Sequence, residues 1–476
     1  MQLLLQDLPS PATITSKPLD AFLRGEVVFS QTFRPLLGQV GASALQVHSR
    51  RWFLQAGLAG VGTGLLGSSR ALAESRTGTA KKSVILIWLS GGPSQLDTWD
   101  PKPEAPTEIR GPFSSISTTL PGVRLCEHLP LQASIASKLS FLRAVDCSMS
   151  NHTPITMQAG NPLARRTDNG RDGDGYPSMG AVAAKFRGAN DPDLPAFVGL
   201  APSWVADVWE AGHMGGAYAP VNGDQLAGRC AMPEGLQLTR MSDRDQLRAQ
   251  FDGLRKELDR SENLDRFTRS QRQAFEMVST GKVQKAFDLS QEPDALRDAY
   301  GRDAIGQQAL LSRRLVEAGV TYITMSARWG YFDNHGDNVP PWGGIEKGLK
   351  PILPTVDRTL YALVTDLDQR GLLDSTLVLM LGEFGRSPVM TKDAGREHWL
   401  NVMSMVMAGG GLRHGQAIGS TDSRGGTIQS GAVRPQDLAA TVFRHLGIDL
   451  TSHWLSPQGR PTPIVTEAGR PIPELM

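Results

Sequence analysis

Cysteine is scarce in this chain. Three residues in 476 (Cys126, Cys147 and Cys230) are too few for a disulfide framework and show no metal-ligand spacing. One pair could close and leave a thiol over; three buried thiols is the simpler reading. A charge excess of either sign is also missing. The formal net charge is +1, and residues 74–476, with 43 basic and 45 acidic side chains, stand at −2. No nucleic-acid partner is indicated by that balance. There is no internal repeat, and no apolar run long enough for a convincing membrane span, so the mature chain is expected to have none.

What is present is an ordinary globular composition, 40% hydrophobic and 20% charged. Short apolar runs recur along the chain. Ser83–Leu89 is continuous and bounded by glycine, as suits a strand buried on both faces. Leu139–Val145, Pro195–Leu200, Val320–Met325, Leu377–Leu381 and Met403–Met407 read as further strands. Between them lie helical patterns, at 243–287, at 294–318, at 351–370 with Leu360, Leu363, Val364 and Leu367 on one face, and at 436–446. Strands alternating with helices over some 400 residues predict one α/β domain, a largely parallel central sheet flanked by helices. The charged block at about 243–318 reads as a helical insertion.

The loops that follow these strands carry the chemistry. Tyr331-Phe332-Asp333-Asn334-His335-Gly336-Asp337 follows one strand. Gly382-Glu383-Phe384-Gly385-Arg386 follows another, and Gly395-Arg396-Glu397-His398-Trp399 comes soon after. Ser90-Gly91-Gly92-Pro93-Ser94-Gln95-Leu96-Asp97 ends the first strand. In an open α/β sheet, strand C-terminal ends are where ligands bind. Ser148-Met149-Ser150-Asn151-His152-Thr153-Pro154 has the composition of a helix N-terminus, which favours an anion. Residues 161–178, rich in Asp, Arg and Gly, read as a substrate-side loop.

Near the N-terminus, Ser49-Arg50-Arg51-Trp52-Phe53-Leu54 precedes an uncharged Gly/Ala/Leu-rich segment that closes at Ala71-Leu72-Ala73. This resembles a twin-arginine export signal with a small-x-small cleavage site. It implies removal of residues 1–73, a mature domain of 74–476, the export machinery as a partner, and a periplasmic or extracellular location.

Gly91-Gly92-Pro93-Ser94 through Asp97 to Pro101-Lys102-Pro103, with Gly382–Arg386, Gly395–Trp399, Ala408–Gly411 and Gly419–Asp422, resembles the DUF1501 family over roughly residues 80–450. That family is similar to the alkaline phosphatase/sulfatase superfamily. The resemblance implies an alkaline phosphatase-like fold and one or two metals at the sheet's C-terminal end. Carried over by position, it makes Asp97, Asp333, His335, Glu383 and His398 the metal ligands, with Asp97 standing in for an acidic residue that Ser90 replaces. Glu383-Phe384 occupies the place of an Asp-His pair. Counting back ten residues from Gly160 gives Ser150 as the nucleophile, with Thr153 the alternative. His152 would act as a general acid or base, and Arg386 would offer its guanidinium fork to an anion or pair with Glu383 or Asp393. The donor set suits Zn²⁺, Mn²⁺, Mg²⁺ or Ca²⁺. The implied activity is hydrolysis of phosphate or sulfate esters, on a small molecule or a polysaccharide. The alternative is a catalytically degenerate member that binds anionic polysaccharide or serves as a periplasmic assembly partner.

Overall fold

The computed structural model describes residues 80–164, 175–203, 207–223, 280–326, 330–466 and 468–476. Residues 1–79, on which the expected export signal falls, Cys230, residues 165–174 of the charged loop and the block from 224 to 279 lie outside the described residues.

An eight-stranded sheet organises the domain. Its strands are β1 (Ser83–Trp88), β2 (Leu139–Val145), β3 (Phe197–Leu200), β4 (Val221–Asn222), β5 (Tyr322–Met325), β6 (Thr376–Leu381), β7 (Met403–Gly409) and β8 (Gln416–Ile418). The order across the sheet is β8-β2-β7-β6-β1-β5-β3-β4. Every neighbouring pair is parallel except those made by β7, which runs antiparallel to both β6 and β2. This is the mostly parallel sheet flanked by helices that the sequence pattern predicts, with one strand reversed.

β1 shows why its sequence is continuously apolar. Ile85 and Ile87 enter one core cluster, while Val84, Leu86 and Trp88 enter the other. A strand with no solvent face has no polar alternation. The first cluster is closed by the helices α3 (Ala304–Ala318) and α4 (Leu353–Gln369), the second by α2 (Met179–Phe186) and α5 (Pro435–Leu446); α1 (Ile155–Ala159) is a single short turn after β2. The continuous helix expected over 294–318 is broken at Gly301, φ 94°. Asp303 restarts it by accepting from the Gly306 N–H. The restarted segment, α3, is a sheet-flanking helix that leads into β5.

The reversal of β7 matters for function. Parallel neighbours need a crossover, but the segment between β6 and β7 contains no helix, so the chain turns back on itself. The whole 382–402 connection therefore stays at the C-terminal end of β6. The C-terminal ends of β1, β2 and β5 lie at that same end. Among the described residues, no helix is long and apolar enough to cross a membrane.

Candidate metal centre

Three connections converge on one carboxylate. Asp333 lies after β5, His152 after β2, and His398 on a two-residue ribbon, His398–Trp399, paired with Gly385–Arg386 so that His398 stands opposite Arg386. Asp333 Oδ1 lies 3.0 Å from His398 Nε2 and 3.0 Å from His335 Nε2, and accepts from Arg386 Nη2 at 2.6 Å. Asp333 Oδ2 lies 3.3 Å from His152 Nε2. Ligand atoms of His152, Asp333 and His398 all fall within 4.8 Å of one another.

Each outer nitrogen of two of these rings is held by a glutamate. His152 Nδ1 is 2.8 Å from Glu383 Oε1, and His335 Nδ1 is 2.8 Å from Glu397 Oε2. A carboxylate on Nδ1 fixes the tautomer that points the Nε2 lone pair at a ligand site. The third imidazole, His398, instead packs on Phe384, ring centroids 4.5 Å apart. Phe384, in the place where a histidine was expected, thus supports a neighbouring histidine by ring contact.

The glycine turn after β1 closes the centre from below. Gly91 has φ 109°, and a Cβ there would lie 2.5 Å from the Asp333 nitrogen. Its N–H donates to Glu383 Oε1 at 2.8 Å. Only glycine lets the two loops approach this closely.

Electrostatics follow from these contacts. Burial disfavours the Asp333 carboxylate, but hydrogen bonds from His152, His398 and Arg386 outweigh it and hold the group far below the usual carboxylate range. Burial likewise opposes charge on His152, yet its bonds to Asp333 and Glu383 lift it to about 9. For His398 burial prevails, and its affinity for a proton is lowered.

The residues singled out from the sequence separate into groups. Asp333, His335, Glu383 and His398 come together, with Glu383 oriented onto His152. His152 belongs among the ring nitrogens facing Asp333. Asp97 is elsewhere: it is fully buried in a pair with Arg396, whose Nε donates at 2.6 Å, and it accepts from Ser94 Oγ at 2.5 Å. It braces the loop that carries His398 from behind. Arg386 offers no free fork to a ligand. It is 1% exposed, and its N–H groups donate to the carbonyls of Gly91, Gly92 and Arg396 and to Asp333. Its carboxylate partner is Asp333, not Glu383 or Asp393.

Ser150 does not stand at a helix N-terminus. The helix begins at Ile155 with Pro154 as its cap and runs five residues. Its hydroxyl is buried without a hydrogen-bond partner, whereas that of Thr153 donates to Asn151 Oδ1 at 2.5 Å. Sequence reasoning missed Glu397, although it is adjacent to His398 in the chain.

Residues 81–476 match the family described as "Protein of unknown function (DUF1501)". The chain belongs to the DUF1501 family. No curated protein sequence matches it. Among solved structures, this DUF1501 chain is similar to the PsFucS1 sulfatase from Pseudoalteromonas sp. (13% identity, 78% of this chain and 68% of that one, TM-score 0.35). It is also similar to the phosphonate monoester hydrolase SpPMH from Silicibacter pomeroyi (10%, 82% and 76%, 0.36). A third is the soluble domain of lipooligosaccharide phosphoethanolamine transferase A from Neisseria meningitidis (11%, 78% and 90%, 0.35). At these scores the likeness carries no argument about chemistry. In this chain the donor set itself does: the ring nitrogens of His152 and His398 and the Asp333 carboxylate lie close enough together to hold a divalent metal, with His335 beside them on the same Asp333 oxygen.

Proposed function

We propose that this DUF1501 protein is an exported, metal-dependent hydrolase of phosphate or sulfate esters. The observation that carries the reading is the convergence of His152, His335 and His398 on Asp333 at the C-terminal end of the sheet. His398 keeps 35% of its side chain exposed, so the centre opens to a ligand. A divalent cation held by these four residues would supply Lewis-acid polarisation of an ester oxygen and a lowered pKa for a bound water or hydroxyl.

The chain's own residues do the rest. Glu383 and Glu397 orient His152 and His335 as ligands, which turns His152 from an acid–base group into part of the metal set. Arg386 pins Asp333 and leaves anion recognition to the cation and to groups outside the buried pair. Of the two hydroxyls near the centre in sequence, Ser150 is the one with no competing hydrogen bond, and we assign it as the nucleophile. Asp97 acts through Arg396 and not as a ligand. Export by the twin-arginine route is supported by Ser49–Leu54 and Ala71–Ala73; replacing Arg50 and Arg51 together by Lys should trap the precursor in the cytoplasm, and unchanged fractionation would refute it.

The test of the activity is metal analysis of protein purified without chelator, followed by assay of aryl phosphate, phosphodiester and sulfate substrates with Zn²⁺, Mn²⁺, Mg²⁺ or Ca²⁺. At least one metal per chain and turnover lost in His398→Ala and Ser150→Ala are expected. Full activity in Ser150→Ala with loss in Thr153→Ala would move the nucleophile. A metallated protein inert to every ester would leave binding of anionic polymer as the function.

A further inference from the structure

Behind the histidine centre lies a second group of oxygens that it does not use. Ser90 follows β1, Ser326 follows β5, Glu383 follows β6 and Asp207 lies beyond β3. These four strands are consecutive neighbours in the sheet. Backbone bonds hold the ends together, with Ser326 N donating to Leu200 O at 2.9 Å, Leu89 N to Leu381 O at 2.9 Å, and Gly330 N to Ser90 Oγ at 3.3 Å. The Asp207 carboxylate faces the hydroxyls of Ser90 and Ser326 and the charge of Glu383.

These oxygens are buried, and four of them are uncommitted. Asp207 and Ser326 are fully buried, and Glu383 is 2% exposed. Neither oxygen of Asp207, nor Oε2 of Glu383, nor the Ser326 hydroxyl makes a hydrogen bond of good geometry, although the Ser90 and Ser326 hydroxyls lie near enough to favour the Asp207 carboxylate. The other oxygen of Glu383 is spent on His152 and Gly91. A buried carboxylate with both oxygens poorly paired, beside a second carboxylate with one, is costly unless something positive sits between them. Burial, opposed by the two hydroxyls and reinforced by Glu383, lifts Asp207 to about 7, so a proton competes with a cation there.

We propose that Asp207, Glu383, Ser90 and Ser326 form a cation site separate from the histidine centre, which takes a hard divalent cation, Mg²⁺, Ca²⁺ or Mn²⁺. The donors are all oxygen, two carboxylates and two hydroxyls, with no imidazole or thiolate, which selects hard ions over Zn²⁺. Glu383 is shared: Oε1 orients His152 and Oε2 reaches the cation, so occupancy fixes the carboxylate that sets the His152 tautomer. The inference does not depend on ester hydrolysis.

The experiment uses the full chain, stripped with chelator, in His398→Ala to remove the histidine centre. Melting temperature and metal content are followed with MgCl₂, CaCl₂ or MnCl₂. One equivalent of cation and a raised melting temperature are expected in His398→Ala, both lost when Asp207→Asn is added, and a roughly tenfold weaker response with Ser326→Ala. Without cation and at pH 8, where Asp207 is mostly ionised, Asp207→Asn should melt at or above its parent, since it deletes a poorly paired buried charge; a merely structural aspartate would give the opposite sign. The site is overturned if Asp207→Asn responds to cation as its parent does. It is also overturned if none of the three ions raises the parent's melting temperature, in which case Asp207 holds a proton. Failure of the histidine centre would be seen separately, as Zn²⁺ content in the otherwise wild-type chain that His398→Ala leaves unchanged.

Discussion

Asp333 gathers three imidazole nitrogens and a guanidinium on two oxygens, and its neighbours differ in what they lose without it. Arg386 is 1% exposed, so Asp333→Ala leaves a buried charge unpaired, at a cost of about 3–5 kcal/mol. His398→Ala removes a half-exposed ring and should cost no more than about 1 kcal/mol in the metal-free protein. Both should lower metal content. Urea unfolding in chelator, paired with metal analysis, checks the contrast, and equal destabilisation by the two would count against it. Asp97→Asn belongs to the opposite class. It breaks the buried pair with Arg396 and should also cost about 3–5 kcal/mol, while metal stoichiometry in the surviving folded protein stays at the wild-type value. A fall in stoichiometry that metal excess cannot restore would make Asp97 a ligand after all.

At the scale of elements, the site depends on how closely loops can approach and on how helices are tied to the sheet. Gly91→Ala places a methyl 2.5 Å from the Asp333 nitrogen at φ 109°. The expected cost is about 2–4 kcal/mol, with metal affinity falling in parallel, measured by calorimetric titration. Unchanged affinity would show that the turn merely fills space. On α4, Asp357 accepts from the N–H groups of Leu131 and Gln132 at 2.8 Å each. Burial lifts it to about 6 against the pull of those bonds. An acid raised in the folded state binds its proton more tightly there than in the unfolded chain. Its stabilising contribution is therefore full below about pH 4 and is lost as pH rises through 6, by about 3 kcal/mol. The stability difference between wild type and Asp357→Asn should fall by about 2 kcal/mol between pH 4 and 7; a difference that stays flat across the range would refute it.

For the molecule as a whole, two apolar cores on opposite faces of one sheet bury both cysteines among the described residues. Burial pushes the thiols of Cys126 and Cys147 up to about 12, so neither ionises near neutral pH and neither is a nucleophile. Iodoacetamide at pH 8 should leave both unmodified in the native protein and label both in guanidinium, as read by peptide mass mapping. Native labelling of either would show that its core opens more readily than this packing implies. The scarcity of cysteine noted at the outset is thus matched, at these two positions, by thiols that behave as small hydrophobes.

Sequence alone determined the strands and the loops that matter. Continuous apolar runs can satisfy a sheet buried on both faces and little else, so Leu139–Val145 appears as the strand its pattern predicts. Glycine-flanked Asp, Glu and His after such runs marked Asp333, His335, Glu383 and His398. Tertiary structure decided their roles. Whether a carboxylate is a ligand or a brace depends on what its oxygens meet: Asp97 meets Arg396, Asp333 meets three imidazoles, and Asp207 meets no hydrogen-bond partner in good geometry. Whether His152 is an acid or a ligand depends on Glu383, which is 231 residues away in the chain and 2.8 Å away in space. Periodicity reports which face of an element is buried. It carries no information on which loop ends meet, because that is set by strand order and by the reversal of β7, and both are settled by packing between residues hundreds of positions apart.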